Sequence, residues 1–312
     1  MTTISPDSPN PVPELLTDLS PYIYGTGRLG DTKIPFEARV RVARAAMDAG
    51  VWFHTSHTYG ETLSVLRAAF DQARHQTPKL IVKIGWQQLP EVRDIIRQNT
   101  EPLAVDHLDI GQLCLSGPLG DDFARGGASV AEFQRIKAEG LVRRFVLEVF
   151  PWTSWIALDA LRAGHAQGLI DGYILYFNPL QRFASNALWA ELKARREPIV
   201  AMRTVGGGNV LRLRDVPGAA HSPYIQQRAT EVAPIFERSG IQSWTEFCVR
   251  FGLSFAQVRG TVGATASPDN LDEFLRAAKG FEQLPADLVE PILALHERWS
   301  DEVDMQAEPW TM

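Results

Sequence analysis

Short apolar runs alternate with stretches of helical periodicity along nearly the whole chain, and this alternation constrains the fold more than any other feature. The strand-like runs are Tyr22–Tyr24, Val51–Phe53, Leu80–Ile84, Leu108–Cys114, Phe145–Val149, Tyr173–Phe177, Ile199–Met202 and Thr261–Gly263. Most are apolar on consecutive residues and bounded by Gly, Pro or charge, as strands buried on both faces are. Between them, Phe36–Ala49, Glu61–His75, Pro90–Gln98, Ser129–Glu139, Ser154–Ala163, Ala184–Arg195 and Asn270–Ala278 repeat apolar residues at helical spacing. A helical stretch over 226–251 breaks at Ser239-Gly240. Strand–helix alternation calls for a parallel sheet with right-handed crossovers. Eight such units in 312 residues predict a closed (β/α)8 TIM barrel. The amphipathic run Leu284–Trp299 adds an extra C-terminal helix. Residues 1–20, rich in Pro, Ser and Asp, read as a flexible N-terminal segment or a strap along the surface, and 21–312 as one barrel domain.

The competing architecture is an open doubly wound sheet, which would carry an early G-x-G-x-x-G turn. Gly25, Gly27 and Gly30 have that spacing. However, His54 stands where the next strand should end in an acidic residue, and the element after the motif lacks a good N-cap, so the barrel is preferred.

Composition narrows the function. The chain is 45% hydrophobic with a net charge of -6, which excludes a disordered protein. No Lys/Arg run marks a nucleic-acid partner. No apolar run approaches the roughly 18 residues that would mark a membrane span. The N-terminus shows no basic stretch leading into an apolar core, so a cytoplasmic protein is expected. With only Cys114 and Cys248, no disulfide framework holds the fold, and Cys248 reads as core.

The run from Gly50 through His54 to Tyr59-Gly60-Glu61 resembles the aldo-keto reductase pattern of Gly, a short apolar strand, Asp-Thr-Ala, two residues and Tyr-Gly. Further landmarks follow in order. Leu80–Lys83 is similar to the family's third strand, which ends in Lys, and Leu108–Cys114 to its fourth, Leu-Asp-x-x-x-x-His. Lys137–Arg144 is similar to the approach to the fifth strand, Tyr176-Phe177-Asn178-Pro179-Leu180 to the sixth, and Val200–Gly208 to the seventh. Gly263–Glu273 resembles the loop and helix that hold the adenosine phosphate. The resemblance spans about residues 21–280.

It implies NAD(P)H-dependent carbonyl reduction by a tetrad of Asp, Tyr, Lys and His, with NADP as the expected cofactor and a small carbonyl or sugar-like molecule as substrate. Carried over, the Tyr is Tyr59 and the Lys is Lys83, but His54 occupies the Asp position and Cys114 the His position. A nearby ammonium makes a phenol easier to deprotonate. With His54 in place of the carboxylate, Lys83 loses its anionic partner, and its pKa is expected to fall in a dry site. Cys114 cannot orient a carbonyl as imidazole does. It reads as a packing residue rather than a nucleophile.

The cofactor positions are changed as well. Glu148-Val149 stand where a Ser-Asn pair holds the nicotinamide carboxamide, Ile174 where a Gln does, and Met202 where an aromatic ring often stacks. The resemblance assigns cofactor contacts to Asn178, Met202, Arg203, Gly206, Gly207, Gly208, Thr265, Ser267 and Asn270. Glu148 reads either as a general base or as a carboxylate paired with Lys83, His54 or Arg203. His54, His57, Cys114 and Glu148 are all metal-ligand types, but no short-spaced ligand pair of a known zinc motif occurs, and no metal is expected. Residues Thr204–Tyr224 read as a long open loop over the mouth. Three readings stand: a reductase with an altered proton relay, a redox-neutral isomerase, epimerase or lyase on the same barrel, and a non-catalytic binding protein.

Overall fold

The computed structural model describes residues 15–84 and 88–304. Among the described residues nine strands occur, named here in chain order: β1 Tyr22–Gly25, β2 Trp52–Thr55, β3 Leu80–Ile84, β4 Leu108–Leu113, β5 Val142–Val149, β6 Ile170–Asn178, β7 Gln181–Arg182, β8 Ile199–Met202 and β9 Val258–Ala264. Eight of them pair in parallel in the order β5-β4-β3-β2-β1-β9-β8-β6, and pairing of β5 with β6 closes the ring. Helices cover its outside. This is the (β/α)8 barrel that the alternation predicts, with the extra helix Ala286–Asp304 at the C-terminal end. β7 stands apart as a two-residue strand antiparallel to the end of β6.

Each barrel strand has two buried faces, which is why the strands read as continuous apolar runs. Tyr24, Phe53, Val82, Phe145, Leu147 and Leu175 pack outward against the helices. Ile23, Trp52, Ile81, Ile110, Val146, Ile174, Val200 and Val262 point inward and fill the barrel. Successive strand residues face opposite sides, so this inner row fixes what stands two residues further along every strand.

Leu16 and Leu19 are buried in the same inner core. The Trp52 indole N–H donates to the Asp18 carbonyl at 2.9 Å, and the Asp18 carboxylate takes Lys79 at 2.9 Å and Arg144 at 2.6 Å. Residues 15–20 are therefore not a loose strap; they plug the N-terminal end of the barrel. The rest of the expected flexible segment, residues 1–14, lies outside the described residues.

The Thr204–Tyr224 stretch also differs from expectation. It holds a helix, Val210–Asp215, because the Asn209 side chain caps it by accepting from the Leu211 and Arg212 backbone N–H groups. Among the described residues, no helix is long and apolar enough to cross a membrane.

Candidate functional site

Two residues up from the inner core row, the barrel strands present Gly25, His54, Lys83, Gln112, Glu148, Tyr176, Met202 and Ala264. Strand geometry thus turns one apolar layer into a ring of chemically varied side chains at the C-terminal mouth, where the βα loops gather. Gly25, His54, Lys83, Tyr176, Met202 and Ala264 line a cavity of 550 Å³, together with Tyr59, Arg28, Arg203, His221 and the loop after β8. Gln112 and Glu148 lie buried in the wall behind it.

Tyr59 comes from the loop after β2. Its backbone N–H donates to the Ser56 carbonyl, and its own carbonyl accepts from Thr62 N–H at 3.1 Å. The turn after β1 presses on that carbonyl: a Cβ on Gly30 would stand 2.1 Å from the Tyr59 oxygen. Gly30 therefore serves close packing against Tyr59, and Gly25 close packing against Ala264 of the neighbouring strand. Gly30→Ala is expected to cost about 1–3 kcal/mol, as overpacking does, and to displace Tyr59. Urea unfolding together with turnover measures both effects; a variant with wild-type stability and rate would disprove the contact.

Lys83 and Glu148 form a buried ion pair, Nζ to Oε1 3.5 Å, with their side chains 12% and 1% exposed. Burial is the largest single influence and works against the Lys83 ammonium, but the Glu148 carboxylate, with Tyr59, Cys114 and Tyr176 adding, holds the group above the ordinary lysine range. The expected fall in the Lys83 pKa is therefore overturned. Of the partners open to Glu148, the ion pair it makes is with Lys83.

The Lys83 ammonium lies 6.0 Å from the centre of the Tyr59 ring. Burial raises the Tyr59 phenol above its ordinary pKa, and Lys83 opposes that rise. His54 is pushed down to about 4, first by burial and then by Lys83, so it is neutral at pH 7. It bonds Gln112, Nε2 to Oε1 2.6 Å. Burial, with Glu148 adding, pushes the Cys114 thiol well above its ordinary range, which leaves it a neutral thiol and not an activated nucleophile. His57 turns aside, with Nδ1 3.3 Å from Asn99 Nδ2. Among the described residues, no group of three His, Cys, Asp or Glu side chains is placed to hold a metal ion.

The residues matched to cofactor contacts fall into three groups. Met202, Arg203, Gly207 and Gly208 line the cavity. Arg203 has φ +57°, uncommon for a residue with a side chain, and its carbonyl is pinned by Gly206 N–H at 2.7 Å and Asn178 Nδ2 at 3.0 Å. Asn178 and Gly206 thus act from behind the wall. Asn178 is fully buried with its amide spent on Gln181, Leu180 and Arg203. Asn270 lines an adjoining cleft of 310 Å³, which shares Val205, Gly208 and Ala264 with the cavity. Ser267 caps the helix Pro268–Ala278 beside it, and the Thr265 hydroxyl accepts from Ser267 N–H at 3.0 Å. Ile174 is sealed in the inner core below Tyr176, and Val149 faces the helices.

Sequence reasoning missed Gln112. Its signal was available: it follows Ile110 by two in an apolar run, so it had to share Ile110's inward face. It also missed Tyr176 as a wall, with the Arg203 guanidinium 5.4 Å over its ring.

No family model and no curated protein matches the chain. Among solved structures it is similar to aldo-keto reductase AKR11C1 from Bacillus halodurans, holo form, with TM-score 0.68 and 18% identity over 89% of this chain and 95% of that one. It is also similar to an aldo/keto reductase from Klebsiella pneumoniae in complex with NADP and acetate, with TM-score 0.64 and 15% identity over 89% and 92% of the two chains. A third similar structure is a putative 2,5-diketo-D-gluconic acid reductase B, with TM-score 0.64 and 13% identity over 89% and 88%. The fold is that of the aldo-keto reductases.

Proposed function

We propose that this chain is an NADP-dependent oxidoreductase of aldo-keto reductase type, acting on a small carbonyl or sugar-like substrate through a rebuilt proton relay. The observation that carries this reading is the buried Lys83–Glu148 pair at 3.5 Å. A reductase of this type needs a charged lysine beside its tyrosine. Here the carboxylate that keeps it charged has moved from β2 to β5. The similar Klebsiella structure binding NADP supports the cofactor.

The fit of that cofactor can be tested against the cavity walls. At the phosphate end, Gly207 and Gly208 have φ +105° and +156° and bear no side chain, so their backbone can approach a diphosphate. The cavity continues into the cleft at the first turn of helix Pro268–Ala278, a helix end that favours anions. This end fits. At the ring end, Glu148 and Ile174 offer no amide, and the ring would rest on Met202.

When bound, the cofactor supplies hydride. The chain's own residues handle the proton. Tyr59, protonated at pH 7, gives its proton to the carbonyl oxygen. Lys83 stabilises the phenolate left behind. Glu148 keeps Lys83 cationic and in place. Neutral His54 adds no charge that would compete with Lys83.

Purified protein titrated with NADPH should show saturable micromolar binding and reduce a generic aldehyde. Tyr59→Phe should keep that binding and lose about 10²–10⁴-fold in turnover, the usual worth of a positioned acid. A variant with wild-type turnover would remove Tyr59 from the mechanism. One observation favours a second reading: the ring-side positions hold no carboxamide. Absence of NADPH binding would point to redox-neutral proton transfer by Tyr59, Lys83 and Glu148.

A further inference from the structure

We infer that Gln112 is a positioning residue: it fixes His54 as the Nε2–H tautomer, so that Nδ1 faces the cavity as a hydrogen-bond acceptor and selects carbonyl compounds bearing a hydroxyl on the neighbouring carbon. The substrate part rests on the reductase reading above; the tautomer part does not.

Gln112 is 0% exposed in the inward row of a barrel strand. An amide there is costly unless it is bonded. It spans the barrel between β2 and β8: Oε1 meets His54 Nε2 at 2.6 Å, and Nε2 lies 3.8 Å from the Met202 sulfur. The thioether sets the direction of the amide. Sulfur is a weak acceptor, so it takes the N–H side. The flipped amide would set a carbonyl oxygen against sulfur, two acceptors with no proton between them. With Oε1 towards His54, the imidazole must donate from Nε2. A neutral imidazole has one N–H, so Nδ1 keeps its lone pair.

His54 lines the cavity; its carbonyl accepts from Thr26, and among the described residues its ring bonds Gln112 alone. The charged groups lining the cavity are donors: Lys83, Arg28 and Arg203, with the Glu148 carboxylate buried behind. A simple aldehyde brings only an acceptor. A 2-hydroxy aldehyde brings a donor as well, and the unfilled acceptor at His54 receives it. A bond of this kind is worth about tenfold in specificity.

Two measurements test this. Nitrogen NMR of the intact protein with labelled histidine should show His54 with a pyrrole-type Nε2 and a pyridine-type Nδ1. The opposite tautomer, or a fast-averaged pair, would overturn the role of Gln112 even if no turnover is found. With NADPH, kcat/KM for 2-hydroxypropanal should exceed that for propanal by about tenfold. Gln112→Leu, apolar and without an acceptor, should bring that ratio towards one and release the tautomer. A wild-type ratio near one would overturn the substrate inference. Loss of NADPH-dependent turnover of both aldehydes in the wild-type protein would overturn the reductase reading and the substrate inference with it, and the NMR result would then decide the tautomer alone.

Discussion

Glu148→Ala is expected to remove about 3–5 kcal/mol of folding stability and most of the turnover, because it leaves Lys83 charged and unpaired in a dry wall. The magnitude is bounded by what Lys83 can do instead. A lysine that sheds its proton at pH 7, against an ordinary pKa of about 10.4, gives up roughly 5 kcal/mol, so the penalty cannot much exceed that. Either response harms the relay: a neutral lysine no longer eases proton loss from Tyr59, and a mobile one is misplaced. The double variant Glu148→Ala with Lys83→Met should regain most of the stability, since neither charge is then buried, and should stay inactive. Adding His54→Asp to Glu148→Ala should instead recover both stability and part of the activity, by returning a carboxylate to the end of β2 beside Lys83. Urea unfolding and NADPH-dependent aldehyde reduction follow the two quantities. Wild-type stability in Glu148→Ala would show that Lys83 does not depend on this anion.

The same residues show how far the sequence could be read. All eight barrel strands were legible because parallel strands buried on both faces are short apolar runs, here separated by stretches of helical spacing. β7 was not: two residues, Gln181 and Arg182, carry no periodicity. The helix Gly117–Ala124 was hidden by its two glycines and a proline, which read as loop. At the site, the resemblance pointed to Tyr59 and Lys83 and marked His54 and Cys114 as departures from its pattern. What a motif could not give was the ion pair between strands. Glu148 and Lys83 are 65 positions apart; the registers of β3 with β4 and of β4 with β5 set Lys83 beside Gln112 and Gln112 beside Val146, and Glu148 stands on the same face two residues beyond Val146. Gln112 was overlooked for a different reason. The family pattern carries no chemistry at that position, so the resemblance does not point to it.

Acid should unfold this protein earlier than its carboxylates alone would dictate. His54 is held down to about 4 by burial and Lys83. His296, on the C-terminal helix, is driven well below its ordinary value by burial, with Arg182 and Arg228 adding and the backbone of Pro179 and Asn178 only partly opposing it. Above the unfolded histidine pKa near 6.5 these residues are neutral in both states and exert no pull. Below it the unfolded chain takes up protons that the folded chain refuses, so stability falls with pH down to the folded values. For His54 alone, the fall between about pH 6.5 and 4 amounts to roughly 3 kcal/mol. Asp18 cannot account for losses in that window: Arg144 holds it near 2, so its contribution is lost only below its ordinary value near 3.8. Urea midpoints at pH 7 and pH 4.5 should therefore differ strongly. His296→Phe, set among Phe177, Phe251 and Trp299, should flatten the dependence by one histidine's share, up to about 1.4 kcal/mol per pH unit. A stability constant from pH 7 to 4.5 would mean that both rings accept protons in the folded state. The neutral His54 on which the Nε2–H tautomer depends would then be ruled out over the same range.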